Sequence, residues 1–443
     1  MTIEIFQPAS LKLDVMQNAK WLFIEKGFNV LNSFFVIFVL TNHLGVNAFG
    51  VYAYVLGFIS MASFVASFGL DGLLVREFLS DGNNDSSLIG SSLFLTGITS
   101  VCSCALISYL GHSYIQDPIV LSLIYVYAIS LIASPFNVFY VFFNAKMDLA
   151  ALSLVRILSL ILFFGIKITA ILLDWGLAQF VIIETINVVF MMSLSFLVFL
   201  GKKHTAKFQV CFKTVKLLFR NGLPLMMSSG AIVIYAKVDL VIIEYFLDFE
   251  QVGLYSAAVR LSEFWYVIPM TATTLLFPLM LTAKKISMER YYAEAKLSSE
   301  ILIVICVLFS LVLFVLGPVL VQVAFPSGFE SSSGVIRILA LCGPFIGLGY
   351  INGRYMVAEN LLYLSMRRNI YGVILNVLLN ILLIPKYGIH GAAFSTLISV
   401  MYTGFFCLIF SRRTLDIFRI QCEALCVFAK PRVFISNLKS LKV

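Results

Sequence analysis

The chain has 443 residues, 60% hydrophobic and only 12% charged. A soluble domain carries about 25% charged residues, so an ordinary globular enzyme is excluded and a polytopic membrane protein is indicated. The net charge of +8 has to be placed relative to a bilayer before it says anything about partners.

Apolar runs of about 20 residues, enough for a helix to cross a bilayer, recur from end to end. After a polar lead, Met1 to Lys20, the first run is too long for a cleavable signal and lacks a small-residue exit. Twelve spans are predicted. The first six are Trp21–Thr41, Ala48–Leu70, Leu88–Leu110, Ile119–Phe142, Leu152–Leu173 and Leu177–Leu200. The second six are Gly222–Phe246, Val252–Leu281, Ser298–Phe325, Gly334–Val357, Asn369–Pro385 and Ile389–Phe410. Tight turns, DWG at Asp174 to Gly176 and KYG at Lys386 to Gly388, separate spans 5 from 6 and 11 from 12.

Of the 31 lysines and arginines, 23 fall on one set of connections and the termini. They are Lys12 and Lys20, Arg76, Lys146, six from Lys202 to Arg220, four from Lys284 to Lys296, Arg367 and Arg368, and seven from Arg412 onward. The opposite set holds only Lys386. The positive-inside rule then makes both termini cytoplasmic. The positive charge lies on that face, so no nucleic acid is needed to explain it. The outward loops are short. The longest, around Gly111 to Pro118 and Pro326 to Ser333, run about eight residues and leave no outer domain to carry catalysis.

The chain also repeats itself. GVYA at Gly50 matches GLYS at Gly253, SPF at Ser134 matches GPF at Gly343, and Trp175-Gly176 matches Tyr387-Gly388. The offsets are 203, 209 and 212 residues. The expected fold is all-α: two six-helix bundles, 1–200 and 222–410, related by a pseudo-twofold axis along the membrane normal. A basic cytoplasmic linker, 201–221, joins them, and a basic tail, 411–443, follows. Any substrate path is expected between the halves.

Seven cations fall inside the spans: Lys26, Arg156, Lys167, Lys237, Arg260, Arg337 and Arg354. The acids are Glu25, Glu184, Asp239, Glu244 and Glu263. Each costs on the order of 2.5–3.5 kcal/mol at a helix centre. Arg156, Arg354 and Arg337 lie near span ends and read as snorkelling. Arg260 and Glu263 are three apart, so they either pair with each other or serve a substrate. Lys167 shares a face with Arg156, about 16 Å along the helix. Lys26 sits beside Glu25. Lys237 is too deep in span 7 to reach the surface, and Asp239 points nearly opposite. Lys237 therefore either bridges to a carboxylate on another helix or lines a central cavity, where phosphate is the anion such a cation would hold.

The eight cysteines and four histidines show no metal-ligand spacing. Walker A, GxSxG, Rossmann glycine and HExxH patterns are absent from the sequence. In the tail, Phe418, Cys422, Leu425 and Cys426 form one face of a basic interfacial helix, or else the segment is solvated.

The segment from Trp21 to Leu79, with its FGVYAY and FGLDGLLVRE stretches, resembles the opening of bacterial O-antigen and polysaccharide-unit (Wzx-like) flippases. These belong to the multidrug/oligosaccharidyl-lipid/polysaccharide (MOP) exporter superfamily. YGIHGAAFSTLIS, Tyr387 to Ser399, is similar to the family's last helices. The resemblance implies a bacterial inner-membrane transporter, not an enzyme. It would carry undecaprenyl-pyrophosphate-linked oligosaccharide units to the periplasmic leaflet by alternating access. It implies no cofactor, coupling to a H+ or Na+ gradient, and contact with membrane lipid and the polysaccharide polymerase machinery. Related flippases place cations from helices 1, 2 and 8 around the pyrophosphate. Lys26 and Arg260 fill two of those places; helix 2 offers none, so Lys237 and Lys167 take up that work. Asp239, Glu25 and Glu263 would balance charge or take up a proton. The alternative is a MATE-type multidrug exporter of the same superfamily, which for cationic drugs needs an acidic cavity.

Overall fold

The computed structural model describes residues 9–80, 85–146, 150–202 and 208–429. The side chains of 9–23 and of Lys26, Val30, Phe35, Phe428 and Ala429 lie outside that description, as do the tail beyond 429 and Lys203 and Lys207 of the basic segment. Every regular element described is helical. Helices suit a bilayer because no water is present there to satisfy backbone N–H and C=O groups.

The first helices are α1 (Ala9–Ser60), α2 (Ser63–Ser67), α3 (Asp71–Leu79), α4 (Asp85–Tyr114), α5 (Pro118–Ile132), α6 (Asn137–Ala145), α7 (Ala150–Leu172) and α8 (Leu177–Gly201). There follow α9 (Phe212–Phe246), α10 (Phe249–Glu263), α11 (Val267–Ile286), α12 (Met288–Ala324), α13 (Ser332–Ala340) and α14 (Gly343–Ala358). The last are α15 (Leu362–Tyr387), α16 (Ile389–Gly404) and α17 (Leu415–Leu425).

Among the described residues nine helical stretches are long and apolar enough to cross a membrane, or ten when α13 and α14, bent by 47°, count as one crossing. Two features separate this from the twelve predicted spans. The first two spans fall in one apolar stretch, Gly27–Leu79, of 53 residues. The loop expected between them is reduced to a kink at Gly45 (φ 74°, ψ 178°), a conformation open to glycine. The last predicted span corresponds to α16, only 16 residues long, continued by a 3-10 segment, Phe406–Phe410. The Gly111 to Pro118 loop also shrinks to three residues. Helix α4 runs on to Tyr114, and Asp117 caps α5 by accepting from the Ile119 N–H at 2.8 Å.

The chain divides by contact into two units, Met1–Lys237 and Val238–Val443. That boundary falls inside α9, downstream of the basic segment. Within the first unit, α1 packs on α5 and α7, α4 on α2 and α5, and α8 on α5 and α7. A phenylalanine core gathers Phe78, Phe139, Phe142, Phe143 and Phe199 from α3, α6 and α8. The basic segment is tied to the start of α4. The Gln209 N–H donates to the Ser86 carbonyl (3.3 Å), and the Cys211 N–H donates to Ser91 Oγ (3.1 Å). Within the second unit, α12 contacts α11, α13, α14 and α17, and α15 pairs with α16.

The tight turns form as their residues require. Asp174 takes a left-handed φ of 52°, and the Trp175 N–H reaches back to the Ala170 carbonyl at 2.9 Å. Gly388 (φ 58°) closes the α15–α16 hairpin. A Cβ on Gly391 would lie 2.4 Å from the Leu383 carbonyl oxygen, so the two helices meet backbone to backbone there. The helices also break at repeating places. The chain interrupts at Met61-Ala62 and, 203 residues on, at Phe264-Trp265. The SPF element is a 3-10 turn between α5 and α6, and GPF opens α14 just after the bend from α13.

The described part of the tail, residues 411–429, is docked and not solvated. In α17 Ile417, Gln421 and Ala424 are buried, and Phe418 and Cys422 pack on the core, whereas Leu425 and Cys426 are exposed. The anchor is polar. Gln421 Nε2 donates to Asn352 Oδ1 (2.5 Å), and Asn352 Nδ2 donates to the Gly404 carbonyl (2.6 Å) at the open end of α16. Replacing Asn352 with Leu strands both partners, at about 1–3 kcal/mol for each buried unsatisfied group. Asn352→Leu should lower the melting temperature in detergent and speed tryptic cleavage at Arg412 and Arg413. An unchanged melting temperature and cleavage rate would mean the anchor contributes nothing.

Candidate functional site

Among the described residues, charged groups are held by polar partners inside the apolar helices of both units. In the first unit the packing of α1 on α7 brings Glu25 to Ser153 and Arg156. Ser153 Oγ donates to the Glu25 carboxylate at 2.6 Å and Arg156 Nη1 at 3.1 Å. The Arg156 guanidinium also lies over the Tyr140 ring of α6, 4.1 Å from its centroid. Arg156 therefore does not snorkel: a carboxylate 131 residues away in sequence holds it. The second constellation joins Lys167 on α7 to Glu184 on α8 at 2.5 Å, with both side chains largely buried. Asn187 Nδ2 approaches the other carboxylate oxygen at 3.4 Å. The DWG turn explains the meeting. Lys167 and Glu184 stand almost equidistant from it along the chain, so the hairpin sets them side by side. That symmetry was readable in the sequence and identifies the partner of Lys167.

The second unit holds a carboxylate with a different environment. Asp239, 5% exposed, stands on the part of α9 beyond Lys237. Its Oδ2 accepts from Tyr255 Oη (2.6 Å) and Thr396 Oγ1 (2.9 Å), and its Oδ1 accepts from Asn380 Nδ2 (2.6 Å). Asn380 Nδ2 also reaches Asn376 Oδ1 at 3.1 Å. The donors come from α10, α15 and α16, and the α15–α16 hairpin presents two of them together. All are neutral, and among the described residues no cation lies within 4 Å of the Asp239 carboxylate. Asn380 Oδ1 and Asn376 Nδ2 are buried with no partner. Neutral donors stabilise the ionised form without cancelling its charge. Asn376 and Asn380, four apart on an apolar helix, were the sequence signal for it.

The remaining predicted residues are dispersed. Lys237 is half-buried on α9. Arg260 is exposed in the last turn of α10 and has no ion-pair partner among the described residues. Glu263 is half-buried, and the i,i+3 pair with Arg260 does not form where α10 gives way to a 3-10 turn. Arg354 donates to Thr274 Oγ1 (3.2 Å) and stacks over Phe277, and Arg337 is exposed. The Lys26 side chain lies outside the described residues. Among the described residues no three His, Cys, Asp or Glu side chains gather to hold a metal.

These observations define a multi-pass helical membrane protein with charged and polar groups held inside its spans. Residues 15–284 match the polysaccharide biosynthesis protein family, and the chain belongs to it. The "Probable low-salt glycan biosynthesis flippase Agl15" of Haloferax volcanii is 25% identical over 402 residues, covering 87% of this chain and 81% of that protein. The fold is that of the lipid II flippase MurJ in its inward closed conformation (TM-score 0.72, 15% identity, 96% of this chain and 95% of that one). It is also shared by an inward-facing multidrug resistance MATE transporter of the MOP superfamily (TM-score 0.63, 15% identity, 92% and 96%).

The Lys167–Glu184 pair yields a direct test. Removing one partner of a buried pair costs roughly 3–5 kcal/mol, whereas replacing both with apolar groups is often neutral. Lys167→Met should therefore lower stability in detergent, and Lys167→Met with Glu184→Leu should restore most of it. Restored stability with restored transport fits a structural pair. Restored stability without transport would place Lys167 at the substrate.

Proposed function

We propose that this chain flips a lipid-linked glycan, carrying an undecaprenyl-pyrophosphate-bound oligosaccharide unit to the outer leaflet of the cytoplasmic membrane by alternating access, for surface polysaccharide or O-antigen assembly. Membership of the polysaccharide biosynthesis family supports this reading, as does the named flippase among its relatives. The observation that carries it is Arg260, an exposed cation on an apolar stretch with no carboxylate partner among the described residues. An arginine so placed suits the phosphates of an anionic cargo. Lys237, Lys26 and Lys167 are the further cations assigned to the pyrophosphate. Glu25 and Glu263 join Asp239 in balancing charge, and contact with the polymerase machinery belongs to the same reading.

Twelve crossings follow when Gly27–Leu79 is divided at the Gly45 kink, α13 and α14 count as one, and α16 crosses with its 3-10 continuation. An even number puts both termini on one side, and the basic connections make that side cytoplasmic. The repeated breaks, 203 residues apart, support two six-helix halves. The Asp239 cluster is the seat of coupling: a proton or monovalent cation entering there neutralises a carboxylate that its neutral donors leave charged.

The tests use a strain lacking its own flippase, complemented with this chain, and proteoliposomes under imposed gradients. A charge-assisted contact is worth about 1.5–3 kcal/mol, so Lys237→Ala and Arg260→Gln should each cut surface polysaccharide about tenfold or more at unchanged protein level in the membrane. Normal export by both would remove the cation role. Asp239→Asn should insert normally and flip lipid-linked glycan at a rate indifferent to the Na+ or pH gradient. A variant that still responds as wild type does would rule out coupling at Asp239.

A further inference from the structure

Away from the Asp239 cluster, the second unit contains a cavity of about 300 Å³ where the start of α15 meets the end of α14 and the 3-10 segments after α16. That volume is at the lower end of the range for small-molecule sites. Its wall includes Arg367, Arg368, Tyr371, Tyr402, Phe410 and Ser411, and no aspartate or glutamate lines it.

The two arginines are unbalanced. Arg368 Nε donates to Asn369 Oδ1 at 3.3 Å, and its Nη1 is shut away from solvent with no partner. Arg367 lies over the Tyr371 ring, 5.9 Å from its centroid. Neither guanidinium has a carboxylate within 4 Å among the described residues, in contrast to Arg156, Lys167, Lys284 and Lys296, each of which has one. A guanidinium taken from water without a counter-charge is costly. Its flat fork of donors matches phosphate oxygens two at a time. The aromatic side chains supply the rest of a headgroup-sized niche: Tyr371 and Phe410 are exposed at its edge. Basic pockets between membrane helices are where phosphate headgroups of anionic lipids bind.

We propose that this cavity binds a phosphate-bearing anion, with Arg368 and Arg367 as its donors. The phosphate comes either from an anionic phospholipid headgroup or from a soluble phosphate. The site is separate from the Asp239 cluster. Arg368 and Asn380 stand twelve residues apart on α15, about 18 Å along the helix. The inference does not depend on what the protein transports.

The test uses the full-length protein purified in detergent, with two probes. In one arm, native mass spectrometry compares retention of phosphatidylglycerol with that of phosphatidylcholine. In the other, inorganic phosphate is titrated in a thermal unfolding assay at constant ionic strength. Selective retention of phosphatidylglycerol assigns the site to lipid. A phosphate-dependent rise in melting temperature without lipid selectivity assigns it to a soluble anion. Arg368→Gln should weaken whichever response is seen about tenfold, as expected for loss of charge-assisted contacts. Ser411→Trp, which fills the cavity and keeps both arginines, should abolish it, and decides the matter if Arg368→Gln does not fold. The pair Arg412→Gln and Arg413→Gln, exposed neighbours outside the cavity wall, should leave it unchanged. Absence of both responses in the wild type would overturn the proposal. So would a wild-type response from Ser411→Trp, or a loss in the Arg412/Arg413 variant equal to that of Arg368→Gln.

Discussion

A charged side chain persists in an apolar helix only where something holds its charge, and that constraint organises this molecule. In the first unit the answer is a counter-charge on a neighbouring helix. Arg156 and Lys167, about 16 Å apart on one face of α7, are met by Glu25 from α1 and Glu184 from α8. Pairs of this kind add little net stability, because desolvation offsets most of the attraction, but breaking one is costly. Their effect is on register. A slide of α7 by one turn against either neighbour would leave a charge stranded in hydrocarbon, so α7 is fixed against α1 and α8 at two heights.

Asp239 is held differently. Three neutral groups from three helices converge on its carboxylate, and they orient the charge without cancelling it. Any proton or cation that does cancel it acts on the same oxygens that Tyr255, Asn380 and Thr396 use. Occupancy therefore competes with, or re-forms, the bonds that join α9 to α10, α15 and α16. A fully paired site like Lys167–Glu184 has no such response, since its charge is already spent on its neighbour. The two constellations therefore differ in what an added cation meets: a carboxylate already neutralised by its neighbour in one, and a carboxylate held only by neutral donors in the other.

Much of the architecture was legible because it is written in local chemistry. Apolar length gives the helices, and DWG and KYG give the tight hairpins; SPF and GPF read only as repeat marks inside single spans, and the breaks beside them in α5–α6 and α13–α14 are additions of the structure. Legibility fails where one residue does the work of a loop, as Gly45 does, and where helices run past their apolar stretch, as α12 does at its start. It fails for the tail because the anchor of α17 is a pair of amides, Gln421 and Asn352, buried where an apolar face was expected to lead. It fails most for charge pairing. Arg156 and Glu25 are too far apart in sequence for periodicity to join them, so a held cation looks the same as a free one. Lys167 and Glu184 were within reach, since a tight turn between two helices makes equidistant residues neighbours. The cavity at Arg367 and Arg368 gave no sequence signal beyond two basic residues in a connection.

The α15–α16 hairpin takes part in both polar features of the second unit on which the proposals rest, the Asp239 cluster and the arginine-lined cavity. Its far end is locked by Gly388 and by the close backbone approach at Gly391. Its middle supplies Asn380 and Thr396 to Asp239. The start of α15 supplies both arginines of the cavity. Arg368 and Asn380 stand on one continuous helix, so an anion held by the first and a cation held near the second would act on the same element. If each ligand prefers one position of that hairpin, thermodynamic linkage requires the preference to be mutual: whatever one does to the affinity for the other is returned by the same factor. The continuity of α15 is what makes such linkage physical, because Arg368 and Asn380 stand on one unbroken helix, about 18 Å apart along its axis.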